Sequence, residues 1–251
     1  SDGFQCVATD AGGVYEMKRD AAAEYVCYSV PAEFKIRTGH DGYPDFYVRL
    51  DTSQQKIRQD FTLERLAGVE RNFRLICIGD PQINEASHAV RFKEEAGREI
   101  REYAASAGVP CYGITLGDHV NNKWTLFTNM VVALQPEQTG VPVFATIGNH
   151  DHEFPTADEK AARAKYESYF GPVDYSFNRG DVHVVSMDNV IHSCKASADY
   201  EGGFTAAQYA WLKQDLSFVP KDKMVILCVH IPFRGGWGTN SAHADADKYY
   251  D

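Results

Sequence analysis

Four segments of the chain end an apolar run in a side chain able to hold a cation: Asp80 in LICIGDPQ, Asp118 in GITLGDH, Asn149 in FATIGNHD and His230 in VILCVHIP. Carboxylate, amide oxygen and imidazole together suit hard or borderline divalent ions, namely Mg, Mn, Fe or Zn. A single Asp after a strand carries little meaning, because Asp caps helices and opens turns. Four such endings imply converging loops, since open α/β sheets gather ligands beyond the C-terminal ends of their strands. A carboxylate can bridge two ions ~3.5–4 Å apart, a pair that activates water and clamps phosphoryl oxygens. His150, beside Asn149, is placed to protonate a leaving group if Asp151 or another acid orients its ring. His119 and His152 adjoin these positions and are candidates to line a substrate cleft, and Arg234, ahead of Gly235-Gly236, is a candidate phosphate contact. A glycine precedes Asp80, Asp118 and Asn149, where the backbone could approach closely or turn sharply beside the ligand.

The elements that would position these groups are legible from periodicity. FRLICIGD, CYGITLGD, VPVFATIGN and residues 223–230 read as strands; YSFNRG and DVHVVSMDN read as a strand pair about a turn, with His183 a strand residue facing a second layer. Residues 91–107 read as a helix with Phe92, Ala96, Ile100 and Tyr103 inward. WTLFTNMVVALQ, ADEKAARAKYESYF and TAAQYAWLKQDLSFV read as further helices, the last opened by Thr205 as N-cap. Strands alternating with such helices predict a layered α/β fold with mixed sheets. Residues 1–68 differ: GFQCVATD, VYEMKRD, AEYVCYSVPAEFKI and FYVRLD predict short antiparallel strands, a small β-sandwich-like module ahead of an α/β domain over 70–251.

Composition narrows the function classes. The 251 residues are 44% hydrophobic, with 14 Tyr, 14 Phe and 3 Trp, which excludes disorder along the whole chain. No apolar run approaches the ~20 residues of a transmembrane helix. A formal net charge of -10 argues against nucleic acid as a partner, while a phosphorylated small-molecule substrate stays compatible through bound metal. Of the six cysteines, Cys77, Cys111 and Cys228 lie in apolar runs and read as buried hydrophobes. A Cys6–Cys27 bridge stays open, and composition leaves the oligomeric state open too.

Gly79-Asp80-Pro81-Gln82, Gly117-Asp118, Gly148-Asn149-His150-Asp151 and His230-Ile231-Pro232, in this order, resemble the motifs of calcineurin-like metallophosphoesterases, over residues 73 to about 234. The resemblance implies a two-sheet α/β sandwich flanked by helices and a centre of two divalent ions. On it, Asp80 would bind the first ion, Asp118 both, and Asn149 and His230 the second. His150 would act as acid or transition-state stabiliser, oriented by Asp151. Residues 1–68 resemble the transthyretin-like module ahead of some bacterial members, which implies a periplasmic or envelope-associated setting. Two departures stand out. Gln82 replaces the family's usual histidine, a poorer ligand for a borderline ion, and the closing Gly-His-x-His motif is missing, His243 having no matching context. The expectation is therefore a hydrolase of phosphoric mono- or diesters whose domain is C-terminally incomplete. The alternative is a non-catalytic scaffold with a degenerate metal site.

Overall fold

The computed structural model describes residues 1–39, 41–156, 158–192 and 200–234. In the N-terminal segment, β1 (Tyr25–Cys27) pairs with β2 (Tyr47–Arg49). Next come β3 (Arg74–Ile78), α1 (Ala86–Phe92), a π-turn (Lys93–Gly97) and α2 (Arg98–Ser106), then β4 (Cys111–Leu116). A 3-10 turn (Trp124–Leu126) leads into α3 (Phe127–Leu134), α4 (Pro136–Thr139) and β5 (Val143–Thr146). After α5 (Glu159–Phe170) follow β6 (Tyr175–Arg179), β7 (Val182–Ser186), β8 (Val190–His192), β9 (Tyr200–Gly202), α6 (Ala206–Ser217) and β10 (Met224–Cys228). One sheet has the order β3-β4-β5 with all strands parallel; the other, β10-β7-β6, is mixed, with β6 antiparallel to β7.

The two sheets face each other as a sandwich. Phe144 of β5 stacks on Phe177 of β6 with centroids 4.0 Å apart, the Tyr175 hydroxyl donates to the Ala145 carbonyl at 2.9 Å, and the Thr146 and Ser186 hydroxyls meet at 2.9 Å. Phe144 is fully buried and touches Phe46 and Tyr175 as well as Phe177. Truncating it opens a cavity where both sheets meet, so Phe144→Ala is expected to destabilise by about 3–5 kcal/mol, read as a lowered urea midpoint with an unchanged m-value.

The layered α/β architecture matches the sequence reading; the details differ in three places. Tyr103 is 48% exposed, and Ala104 packs inward beside Ile100 and Phe92. The π-turn takes up an extra residue, shifting the apolar stripe off the 3.6-residue register on which Tyr103 was expected inside. Of the three cysteines expected to be buried, Cys77 is exposed and Cys111 half-buried, while Cys228 is buried. Cys6 and Cys27 are both buried free thiols, so no bridge joins them; Cys194 lies outside the described residues.

The N-terminal module is present, but its regular strand content is one ribbon of two three-residue strands, and GFQCVATD and VYEMKRD are irregular. Its apolar residues do not form a core of their own. Cys27, Val30, Tyr43 and Phe46 belong to the same buried cluster as the two sheets, with Phe46 and Tyr175 centroids 4.6 Å apart. A segment this short buries too little apolar surface alone, and gains it against the larger unit. Main-chain and side-chain bonds seal the join: Asn178 N donates to the Val30 carbonyl at 2.8 Å, and Ala145 N to the Tyr43 hydroxyl at 3.1 Å.

Candidate metal centre

Three strand-end loops and the segment after β10 meet at one end of the sandwich. The loops after β3 and β4 are joined by a parallel bridge between Ile83 and Val120, with Gln82 N donating to the Asp118 carbonyl at 2.7 Å. The chain turns sharply here. Asp80, Gln82, Asp118 and Asn122 have φ of 43°, 39°, 54° and 54°, and they are the only non-glycine residues with positive φ among the described residues. Such backbone is unfavourable for L-residues and persists where surrounding contacts enforce it, commonly at functional sites.

Asp118 is buried and central. Its Oδ1 accepts from His150 N at 2.9 Å, its Oδ2 from Gln82 Nε2 at 2.7 Å, and Oδ1 lies 3.4 Å from His230 Nε2. Burial pushes its carboxyl above the ordinary range, with Asp151 adding, against the pull of His230. His230 Nδ1 is 2.8 Å from the Leu116 carbonyl oxygen, an acceptor only, so that nitrogen carries the ring proton. Nε2 then faces Asn149 Oδ1 at 2.8 Å and Asp118 Oδ1, two further acceptors. The Asp80 carboxylate lies 3.8 Å from Nδ1. The donor set of two carboxylates, an amide oxygen and an imidazole held by a carbonyl fits a divalent ion.

Two glycines permit this approach. A Cβ on Gly148 would lie 2.3 Å from both Asp118 N and Oδ1, and one on Gly117, at φ 98°, would lie 2.6 Å from His230 Nδ1. Gly79 has nothing within 4 Å of such an atom, so the expected close approach before Asp80 is not found.

The structure brings Asp80, Asp118, Asn149 and His230 together and gives the other candidates these partners. Gln82, a candidate ligand, donates its Nε2 to Asp118 Oδ2 at 2.7 Å, which satisfies a buried carboxylate oxygen. Asp151 does not orient His150. Fully buried, it accepts from Gly148 N at 3.0 Å and Val120 N at 3.2 Å, and it pairs with His119 Nδ1 at 2.9 Å, clamping the β4 and β5 loops together. His119 lines no cleft: it is buried, bonded at Nε2 to the Thr115 hydroxyl and stacked on Phe170. His152 is likewise buried, paired with Asp188 at 3.1 Å. Arg234 is exposed, and His243 lies outside the described residues.

The partner of His150 is Asn122, whose Oδ1 lies 3.1 Å from His150 Nδ1; His150 Nε2 is 4.0 Å from Asp118 Oδ2 and its carbonyl accepts from Trp124 Nε1. Asn122 escapes the sequence reading, although an Asn pair after GDHV is a fair sign of a left-handed turn. Asp188 and Asn189, at the end of β7, escape it too. Asn189 Oδ1 accepts from His230 N at 3.2 Å and Ile231 N at 3.0 Å, fixing the His230 segment. The strand-end rule, applied to SMDN, would have found both.

The Metallophos profile, described as calcineurin-like phosphoesterase, matches residues 73–250, most of the chain. The chain belongs to the calcineurin-like phosphoesterase family. Residues 1–66 match a second description, the N terminal of calcineurin-like phosphoesterase. The chain is 27% identical over 149 residues to purple acid phosphatase 23 of Arabidopsis thaliana, covering 53% of this chain and 30% of that protein. Purple acid phosphatase 18 of the same plant is 26% identical over 141 residues, covering 52% and 29%. The chain thus spans less than a third of these relatives. Among solved structures, a purple acid phosphatase from yellow lupin seeds matches at 13% identity and a TM-score of 0.47, covering 64% of this chain and 31% of that one. These relatives are plant proteins and lend no support to the bacterial origin expected from residues 1–68.

A second acidic region of this chain surrounds α5. Glu159, Arg163, Glu167 and Asp174 line a cavity of about 170 Å³ together with Asp2 and Glu24. Burial pushes the Glu167 carboxyl up to about 7, with Arg163 opposing, and it pushes Asp174 to about 7 as well. Both groups therefore hold protons in the folded chain at a pH where the unfolded chain has lost them. Stability falls as pH rises from about 4 to 7, by at most roughly 1.4 kcal/mol per pH unit for each group. Burial would lower His152, but Asp188 outweighs it and raises it, and this contribution is also lost with rising pH. The metal-free protein is expected to melt several degrees higher at pH 6 than at pH 8, and Glu167→Gln to flatten that profile. Equal Tm values at the two pH values would contradict the assignment.

Proposed function

We propose that this chain hydrolyses phosphoric mono- or diesters of small molecules, using two divalent ions (Mn, Fe, Zn or Mg) held by Asp80, Asp118, Asn149 and His230. The observation that carries this reading is the His230 ring, whose Nδ1 is held by the Leu116 carbonyl while Nε2 meets Asn149 Oδ1 and Asp118 Oδ1 at one point. Ions bound there would supply an activated nucleophile and neutralise charge on the phosphoryl oxygens. The protein's own residues do the remainder. Asp118 spans the site, its two oxygens held in place by His150 N and Gln82 Nε2. Asn122 holds the His150 ring with its proton on Nδ1, leaving Nε2 directed toward the centre to give a proton to the departing alkoxide once protonated.

Removing that hold is expected to lower kcat by about 10–100-fold in Asn122→Ala, with KM little changed, since the interaction acts on an orienting bond rather than on substrate binding. The deciding experiment strips the protein with a chelator, reloads each ion in turn and measures turnover of an aryl phosphate monoester and diester. Metal-dependent turnover that disappears in Asn149→Ala supports the hydrolase. Ion binding with no turnover of either ester favours the scaffold reading. An envelope-associated location rests on residues 1–68 alone and stays a proposal with it.

A further inference from the structure

Apart from the Asp118 centre, one other group with metal-ligand character stands among the described residues: His152, Glu159 and Asp188, whose donor atoms all lie within 4.8 Å of one another. It shares no residue with the first. His152 follows the short turn carrying Asn149, Glu159 is the first residue of α5, and Asp188 lies just beyond β7. Three separate elements thus deliver one ligand each.

The hydrogen bonds around the three side chains leave the inward atoms for each other. His152 Nδ1 is 2.9 Å from the Gly148 carbonyl, which can only accept, so the ring proton sits there and Nε2 points at Asp188 Oδ2, 3.1 Å away. Asp188 Oδ1 is taken by Val190 N at 3.0 Å. Glu159 Oε2 accepts from His192 N at 2.6 Å, while its other oxygen has no hydrogen-bond partner among the described residues. His152 and Asp188 are buried, and Arg163, paired with Glu167 at 3.0 Å, is the base near the cluster. Burial pushes the Glu159 carboxyl above its ordinary range, which Arg163 and His152 oppose.

We propose that His152 Nε2, Asp188 Oδ2 and Glu159 bind one divalent ion of the zinc and manganese class, at a structural site separate from the Asp118 centre. One imidazole and two carboxylates form a three-ligand set that such ions accept, with a fourth position for water. The ion takes the place of a proton on Nε2. It ties α5 and the end of β7 to the turn bearing Asn149, through the His152 Nδ1–H bond to Gly148.

The test counts ions on the full chain, stripped, reloaded with Zn²⁺ and dialysed. Glu159→Gln is expected to hold one ion fewer per chain than the unsubstituted protein. Asp118→Asn/Asn149→Ala, which removes ligands only from the other centre, is expected to keep one and to gain several degrees of Tm on adding Zn²⁺. Adding Glu159→Gln to that protein abolishes both. Unchanged ion content in Glu159→Gln overturns the proposal, as does an Asp118→Asn/Asn149→Ala protein that binds none. If Glu159→Gln does not fold, the latter protein decides the question alone. Failure of the Asp118 centre to bind metal would leave the unsubstituted and Asp118→Asn/Asn149→Ala proteins with equal content, a result distinct from failure here.

Discussion

Asp118→Asn is expected to abolish phosphoester turnover, by about a thousandfold or more, while the metal-free protein keeps its fold. Asp118 is central to the site: His150 N, Gln82 Nε2 and His230 Nε2 all approach its two oxygens. Cations stabilise several kcal/mol of transition-state charge, and each 1.36 kcal/mol lost is a tenfold fall in rate. An asparagine has one acceptor oxygen for two donors that need one each, so His150 N or Gln82 Nε2 loses its partner, at about 1–3 kcal/mol. Removing a buried charge offsets that loss, because burial already works against the ionised carboxylate. The measurement pairs kcat/KM for an aryl phosphate with the Tm of the stripped protein. Turnover within tenfold of the unsubstituted protein would sink the role proposed for Asp118.

Gly148→Ala tests the same site by space instead of charge. Its φ of -122° suits any residue, so no backbone strain arises from the substitution itself. The added Cβ, however, would stand 2.3 Å from Asp118 N and Oδ1, well inside van der Waals contact with a backbone atom that cannot swing aside. The β4 and β5 loops must separate, against the clamp that Asp151 makes to Gly148 N, Val120 N and His119. Overpacking of this kind costs about 1–3 kcal/mol or more. A ligand displaced by about 1 Å costs roughly a hundredfold in rate. The expected result is a lowered Tm together with weakened metal binding and turnover. Gly79→Ala, with open space around its Cβ, is expected to change neither, which makes it the matched control.

Particular residues show where the sequence was sufficient. Asp80, Asp118, Asn149 and His230 could be read because each follows an apolar run, and a strand's end fixes where its next side chain goes. Thr205 could be read as an N-cap, and its hydroxyl accepts from Gln208 N. Asp151 shows the limit. Its place in GNHD suggested a partner next to it in the chain, whereas its partner is His119, brought in from another strand's end. Tyr103 shows another limit, since one π-turn rotated a stripe that periodicity alone placed inward.

Residue type and local spacing were enough for the α/β class, for four strand-end side chains that meet at one end of the sandwich, and for the resemblance to the family. Tertiary structure decided which group serves which histidine: Asn122 for His150, Asp151 for His119 and Asp188 for His152. It also decided that residues 1–68 share the core of the larger unit, with Phe46 against Phe144 and Tyr175. The physical reason is the same for both. Hydrogen-bond partners and buried contacts form between side chains far apart in the chain, and only the packing of the two sheets brings those atoms within reach.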